Sequence, residues 1–197
     1  MELNEKIDPI QLFKKWFEEA QEKEVSDPNA MQIATVSKNG FPSVRTVLMK
    51  DIIDGNFVFY TNYESRKSKE IFETKKAAIC FYWKSINRQV RVVGEIKKVS
   101  GEISDQYFNT RSLGSKIGAW ASMQSQPLKN RVTLLNKVEE LKKKFDKNVP
   151  RPKHWGGFQI IPNEFEFWQD GDFRSHDRFI LKPSDHSTLW ECQRYYP

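Results

Sequence analysis

The chain has 197 residues, long enough to bury a core in one domain or a small pair, and six Trp and fourteen Phe supply much of the area to bury. Charged residues make up 29% and apolar ones 38%, with a net charge of +6 from 32 Lys and Arg against 26 Asp and Glu. The basic residues are scattered among acids rather than blocked, which speaks against a nucleic-acid strip and suits small anionic ligands.

Asp8-Pro9 is a cap followed by proline at the first helical position, and Ile10, Phe13, Phe17 and Ala20 recur at helical spacing behind it. Met31–Ser37 and Ser43–Lys50 read as a hairpin through Asn39-Gly40. Thr46–Met49 and Phe57–Tyr60 are strand-like runs with Asp54-Gly55 as the turn signal between them, and a short helix follows from Ser65 to about Thr74. Ala77–Trp83 and Gln89–Val99 are further strands; in the second, Val90, Val92 and Ile96 alternate with Gln89, Arg91, Glu95 and Lys97. Five antiparallel strands with short connections point to a barrel or sandwich. Ser100–Arg111 and roughly Ser115–Met123 are helical, and Arg131–Phe145 carries Leu134, Val138, Leu141 and Phe145 on one stripe. After the stiff Val149–Pro152 segment come four strands, Gly157–Ile161, Glu164–Gln169, His176–Lys182 and Leu189–Tyr195. Their turns fall at Pro162-Asn163, Asp170-Gly171 and Pro183-Ser184-Asp185. Four short strands make a meagre independent core, so they are expected to complete the same domain, 1–197.

No apolar run reaches membrane-spanning length, and the polar, acidic N-terminus does not read as a signal peptide. Cys80 and Cys192 lack C-x-x-C spacing, and the three histidines (154, 176, 186) lack metal-ligand spacing. The expectation is a cytoplasmic protein with reduced thiols, no metal, no membrane and no nucleic acid.

The chemistry gathers in three places. Ser65 stands at a helix start followed by Arg66, Lys67 and Lys69, where cations oppose the helix dipole. Free N–H groups, a hydroxyl and a fork of cations suit an anion such as phosphate, although a solvated basic helix start has the same composition. Arg45 and Lys50 on the preceding strand bring further cations to that corner, favouring phosphate; strict alternation puts these two on opposite strand faces. Tyr107 and Arg111, at i and i+4 with Ser115 nearby, are an ordinary surface pair or a second phosphate cluster. Arg174, His176 and Arg178 would share one face if the chain is extended from 174, giving contacts to an anionic or polar ring ligand or merely a charged surface strand; Trp168 precedes them. No P-loop, dinucleotide-binding or nucleophile-elbow motif is present. Two anion clusters without an evident nucleophile suggest a phosphorylated cofactor that carries the chemistry.

In order along the chain stand RTVLMK (45–50), FYTNYESRK (59–67), RQVRVVG (88–94), Y-x-x-x-R-x-x-x-S (107–115), IGAWAS-x-QS (117–125), HWGGF (154–158), EFWQ (166–169) and RSHDR (174–178). Together they resemble the pyridoxine/pyridoxamine 5′-phosphate oxidase family. The resemblance implies a mainly β split barrel with flanking helices, homodimeric, with FMN at the subunit interface. It implies oxidation of pyridoxine or pyridoxamine 5′-phosphate to pyridoxal 5′-phosphate by hydride transfer to the flavin, with O₂ as acceptor and H₂O₂ as product. FMN contacts then fall on Arg45, Thr46, Val47, Leu48, Met49, Lys50, Tyr60, Thr61, Arg66, Lys67, Gln89, Gln124, Ser125, Trp168 and Arg178. The substrate phosphate falls to Lys50, Tyr107, Arg111 and Ser115, and the pyridine ring to Arg174 and His176, which are also the candidates for assisting proton movement. Two departures stand out: the family commonly carries an extra segment before the first helix that closes over substrate, and position 175 is Ser where the family usually has Leu. A flavin- or pyridoxal-phosphate-binding protein without activity and an NAD(P)H-dependent flavin reductase are the rival readings on the same fold.

Overall fold

The structure is a computed structural model and describes residues 7–146, 148–184 and 189–197; Asp185 of the expected last turn, and His186, lie outside them. Helix α1 (Pro9–Lys23) starts where Asp8 Oδ1 accepts the Ile10 N–H at 2.8 Å. Its buried face is Leu12, Phe13, Trp16 and Ala20, so the stripe is rotated from the expected one and leaves Ile10 and Phe17 at its margin. Phe13 meets Phe57 edge-on at 4.8 Å and packs on Phe81 and Trp83, while Trp16 meets Phe167 edge-on at 5.2 Å. These partners come from separate strands, so the helix plugs the concave side of the sheet. Each such ring contributes on the order of 1.5–3 kcal/mol by burial.

The strands are β1 (Ala30–Val36), β2 (Pro42–Leu48), β3 (Asp51–Ile53), β4 (Asn56–Asn62), β5 (Lys76–Trp83), β6 (Arg88–Lys98), β7 (Trp155–Gln169), β8 (Asp177–Pro183) and β9 (Trp190–Arg194). All pair antiparallel in one curled sheet of order β2-β1-β5-β6-β7-β4-β3, with β8 on β7 and β9 on β8. Helices α2 (Arg66–Thr74), α3 (Gly101–Thr110), α4 (Leu113–Ala121) and α5 (Arg131–Phe145) flank it. The mainly β class with flanking helices is as expected from sequence. A second, smaller core of Phe108, Ile117, Ala121, Leu141, Val149 and Trp155 fastens α3, α4 and α5 to the start of β7.

Three local expectations are corrected. Asp54-Gly55 joins β4 to the short β3, with Ile53 opposite Asn56, whereas the Thr46–Leu48 run pairs with β1. Positive φ at both Asp54 (49°) and Gly55 (77°) makes the tight two-residue hairpin that needs partners directly adjacent in sequence. Pro162-Asn163 is no turn: β7 runs straight through it for 15 residues. Val93 faces Glu164 and Gly94 faces Pro162, so Asn163 is the extra residue of a bulge. Gly94 permits that close approach, since a Cβ there would lie 2.0 Å from the Ile161 carbonyl oxygen. Before the bulge β7 pairs with β4, and after it with β8, so the sheet divides there. Finally, Arg174 and His176 precede β8, because Asp172–Arg174 forms a 3₁₀ turn; the extended run that would align them with Arg178 does not exist.

Candidate active site

Lys67, in the first turn of α2, is buried, and its Nζ donates to Thr61 Oγ1 at 3.1 Å, Gln124 Oε1 at 3.2 Å and Ser65 Oγ at 3.4 Å. All three partners are neutral oxygens. Burial, with the nearby Arg45 charge, pushes this ammonium down from its ordinary 10.5 to about 8. Ser65 sits at the cap position but makes no cap bond; its hydroxyl serves Lys67 and Ser68 instead. Ser125, held at φ 69°, accepts the Arg66 backbone N–H at 3.2 Å and so docks the α4–α5 connection onto the α2 N-terminus.

A carboxylate that sequence reasoning passed over organises the cations beside it. Glu70 is buried and accepts from Ser43 Oγ at 2.6 Å, from Thr35 Oγ1 and from Arg66 Nε at 2.9 Å, with Arg45 Nη2 at 3.6 Å. Burial alone would raise its pKa, but the hydrogen bonds from Ser43, Thr35 and Arg66 and the Arg66 charge outweigh it and hold the carboxyl at about 2. Arg45 in turn donates to Thr35 Oγ1 at 2.6 Å and to Ser43 Oγ. Arg45 and Arg66 are therefore partly compensated, while Lys67 is solvated by neutral groups.

At the other end, Arg111 caps α3 and lays its guanidinium over Trp155, 4.7 Å from the ring centroid. Its Nη1 is buried with no hydrogen-bond partner among the described residues. Tyr60 and Tyr107 stack at 3.9 Å and 10°, and Tyr60 stacks on Trp155 at 5.4 Å and 9°. Burial, then Asp51, Tyr107 and Tyr63, pushes the Tyr60 phenol up to about 12. Gly157 gives this stack its room, since a Cβ there would come within 2.8 Å of Tyr60 Cε1.

Both ends open into one cavity of about 660 Å³. Of the residues singled out from sequence, Arg45, Thr46, Val47, Leu48, Lys50, Tyr60, Thr61, Lys67, Tyr107, Arg111, Ser115 and Gln124 line it. Arg45 and Lys50 thus face the same space, contrary to the alternation argument, because β2 ends at Leu48 and parity does not carry past a strand end. Met49 is buried and lines a different recess; Arg66 and Ser125 meet each other outside the lining. Asn62, Gly118, Ala119, Ser122 and Trp155 were missed. A signal was present: Ser115, Gly118, Ala119 and Ser122 follow i, i+3, i+4, i+7, a face of small residues on α4.

Gln89, Trp168, Arg174, His176 and Arg178 stand apart from that cavity and from its lining, but most of them stand together. Gln89, Trp168 and Arg178 are in register across β6, β7 and β8. His176 packs on Trp168 at 4.7 Å, with Nδ1 2.8 Å from Asp170 Oδ1 and 3.2 Å from the Gly171 N–H. Arg178 is held by Glu166, with Nη2 to Oε2 at 2.7 Å. Among the described residues no group of His, Cys, Asp and Glu is gathered as for a metal, and no helix is long and apolar enough to cross a membrane.

The fold and site define a split-barrel protein in which one cavity holds cations at both ends of an aromatic floor. Residues 17–145 match the family described as pyridoxamine 5′-phosphate oxidase, and residues 155–197 match the pyridoxine 5′-phosphate oxidase C-terminal dimerisation region. A pyridoxine/pyridoxamine 5′-phosphate oxidase of Allorhizobium ampelinum is 49% identical over 191 residues, 96% of this chain and 93% of its own. That of Pelagibacter ubique is 52% identical over 176 residues, 88% of this chain and 85% of its own. Among solved structures, PhzG of Burkholderia lata, crystallised with tetrahydrophenazine-1-carboxylic acid, superposes with a TM-score of 0.91 at 29% identity over 96% of this chain and 93% of its own. The chain belongs to the pyridoxine/pyridoxamine 5′-phosphate oxidase family and is an enzyme of that family.

Proposed function

We propose that the protein is an FMN-dependent oxidase converting pyridoxine or pyridoxamine 5′-phosphate to pyridoxal 5′-phosphate, working as a homodimer. The observation that carries the reading is a pair of cations in one cavity with no anionic partner among the described residues: Arg111, whose Nη1 is buried without a hydrogen-bond partner, and Lys67, buried among neutral oxygens. Burying a cation without an anion is costly, so each end is suited to a phosphate. The donor set fits FMN at the Lys67 end, with Arg45, Thr46, Val47, Leu48, Thr61 and Gln124 around it and Arg66 and Ser125 on its flank. Lys50, Tyr107, Arg111 and Ser115 fit the substrate phosphate.

FMN, when bound, would supply a two-electron acceptor for hydride from the substrate C4′ carbon, with O₂ as the final acceptor and H₂O₂ as the product. The chain's own residues bind and orient. Arg111 neutralises the substrate phosphate while Trp155 fixes the guanidinium plane, and Tyr60 stays a neutral phenol at any working pH. Holding ring against ring in this way converts an encounter into a positioned reaction. Gln89, Trp168, Arg174, His176 and Arg178 reach the cavity of the other subunit in this reading. The 155–197 dimerisation match supports it, as does their clustering away from this chain's own cavity. There Arg174 and His176 orient the pyridine ring. Nδ1 of His176 lies 2.8 Å from Asp170 Oδ1 and 3.2 Å from the Gly171 N–H, and these contacts hold the imidazole in a fixed orientation for that role.

The test is anaerobic mixing of the FMN-loaded enzyme with each phosphorylated vitamer and with NADH. Bleaching of the flavin by a vitamer, followed by H₂O₂ release when oxygen is admitted, is the expected result. Bleaching by NADH alone would make it a flavin reductase, and no bleaching by any donor a binding protein.

A further inference from the structure

The connection between β7 and β8 is held in a conformation its own residues disfavour. Phe173 (φ 55°, ψ 30°) and Arg174 (φ 65°) stand consecutively in the left-handed region, and Phe173 is fully exposed, so no burial compensates it. Arg174 is exposed and makes no hydrogen bond or ion pair among the described residues. What closes the turn is Ser175. Its backbone N–H and its hydroxyl both donate to the Asp172 carbonyl oxygen, at 2.9 and 2.5 Å. Gly171 allows the closure, because a Cβ there would lie 2.4 Å from the Ser175 carbonyl oxygen.

We infer that Ser175 is a positioning residue: its hydroxyl locks the Asp172–Ser175 turn and thereby sets the direction in which the Arg174 side chain leaves that turn. The inference rests on the role given to Arg174 in the proposed reaction. A surface serine with no such task would leave the approach of Arg174 to the pyridine ring unchanged on removal.

The experiment compares FMN-loaded wild type, Ser175→Ala, Ser175→Thr and the double variant Phe173→Gly/Ser175→Ala in steady-state oxidation of pyridoxamine 5′-phosphate. Ser175→Ala is expected to raise KM about tenfold, the loss of one positioned charged contact, with kcat little changed and FMN affinity and thermal midpoint as in wild type. Thr keeps the hydroxyl and restores KM. Glycine adopts the left-handed conformation without steric cost, so Phe173→Gly restores most of the KM lost in the Ala background. An active wild type whose KM is unmoved by Ser175→Ala, or a loss that neither Thr nor the added glycine relieves, overturns this assignment alone. A wild type that takes up FMN and oxidises neither vitamer overturns the functional reading and this assignment with it.

Discussion

Lys67 ties cofactor affinity to pH in a way that can be worked from its surroundings. In the structure its ammonium is lowered from 10.5 to about 8, first by burial and then by Arg45. A phosphate placed against Nζ favours the charged form and returns the pKa toward its ordinary value. The association constant then varies with pH as (1 + 10^(pH−10.5))/(1 + 10^(pH−8)), and FMN binding weakens about tenfold between pH 7 and pH 9. The phosphate contributes nothing to this slope, being already dianionic above a second pKa of about 6. Tyr60 and Tyr107 are both raised and do not enter the window. The assay is fluorescence titration of apoprotein with FMN at pH 7, 8 and 9 and constant ionic strength, repeated with Lys67→Gln. The variant should bind more weakly at pH 7 and show no slope. Linkage also demands the opposite trend in the empty protein. There the unfolded chain holds more protons between pH 8 and 10.5, so this group makes apoprotein stability rise over the interval in which FMN affinity falls. A wild-type affinity flat from pH 7 to 9, or an identical slope in Lys67→Gln, would refute the reasoning.

Glu70 titrates at about 2 in the folded chain against an ordinary 4.5, so its stabilisation is complete above 4.5 and disappears as pH falls toward 2. Urea midpoints between pH 6 and 3 should fall less steeply in Glu70→Gln, which should also start lower at pH 6. Arg111→Met should raise KM for pyridoxamine 5′-phosphate roughly 10- to 100-fold by loss of a charged contact, while FMN affinity stays within about threefold; equal losses in both would place Arg111 on the cofactor instead. Gly157→Ala puts a Cβ 2.7 Å from Val99 Cγ2 and 2.8 Å from Tyr60 Cε1, and should lower stability by about 1–3 kcal/mol, read as a reduced thermal midpoint. Steady H₂O₂ release from the FMN-loaded enzyme given pyridoxamine 5′-phosphate should match product formation one for one, and its absence would argue for a binding protein.

Local signals carried far where the chemistry was local. Helix α5 runs from Arg131 to Phe145 as its stripe implied, and Asn39-Gly40 makes the β1–β2 hairpin. They failed where a distant strand chose the outcome. Pro162-Asn163 has the composition of a turn, yet it lies within β7 because Gly94 on β6 lets the two backbones close over a bulge. Glu70 carries no local signal of its own; only the approach of β1 and β2 makes it a buried acceptor for Ser43, Thr35 and Arg66.

By itself the order of residues determined which elements form and which motifs they carry, since caps, alternation and two-residue turns act over a few residues and need no partner. It also supplied the two cation clusters. That these clusters share one cavity, that Lys67 is stripped of its usual pKa, and that the Gln89–Trp168–Arg178 rank stands apart were decided by tertiary structure. Burial and the meeting of charges depend on surfaces brought together from remote parts of the chain, and no short-range pattern encodes the distance between them.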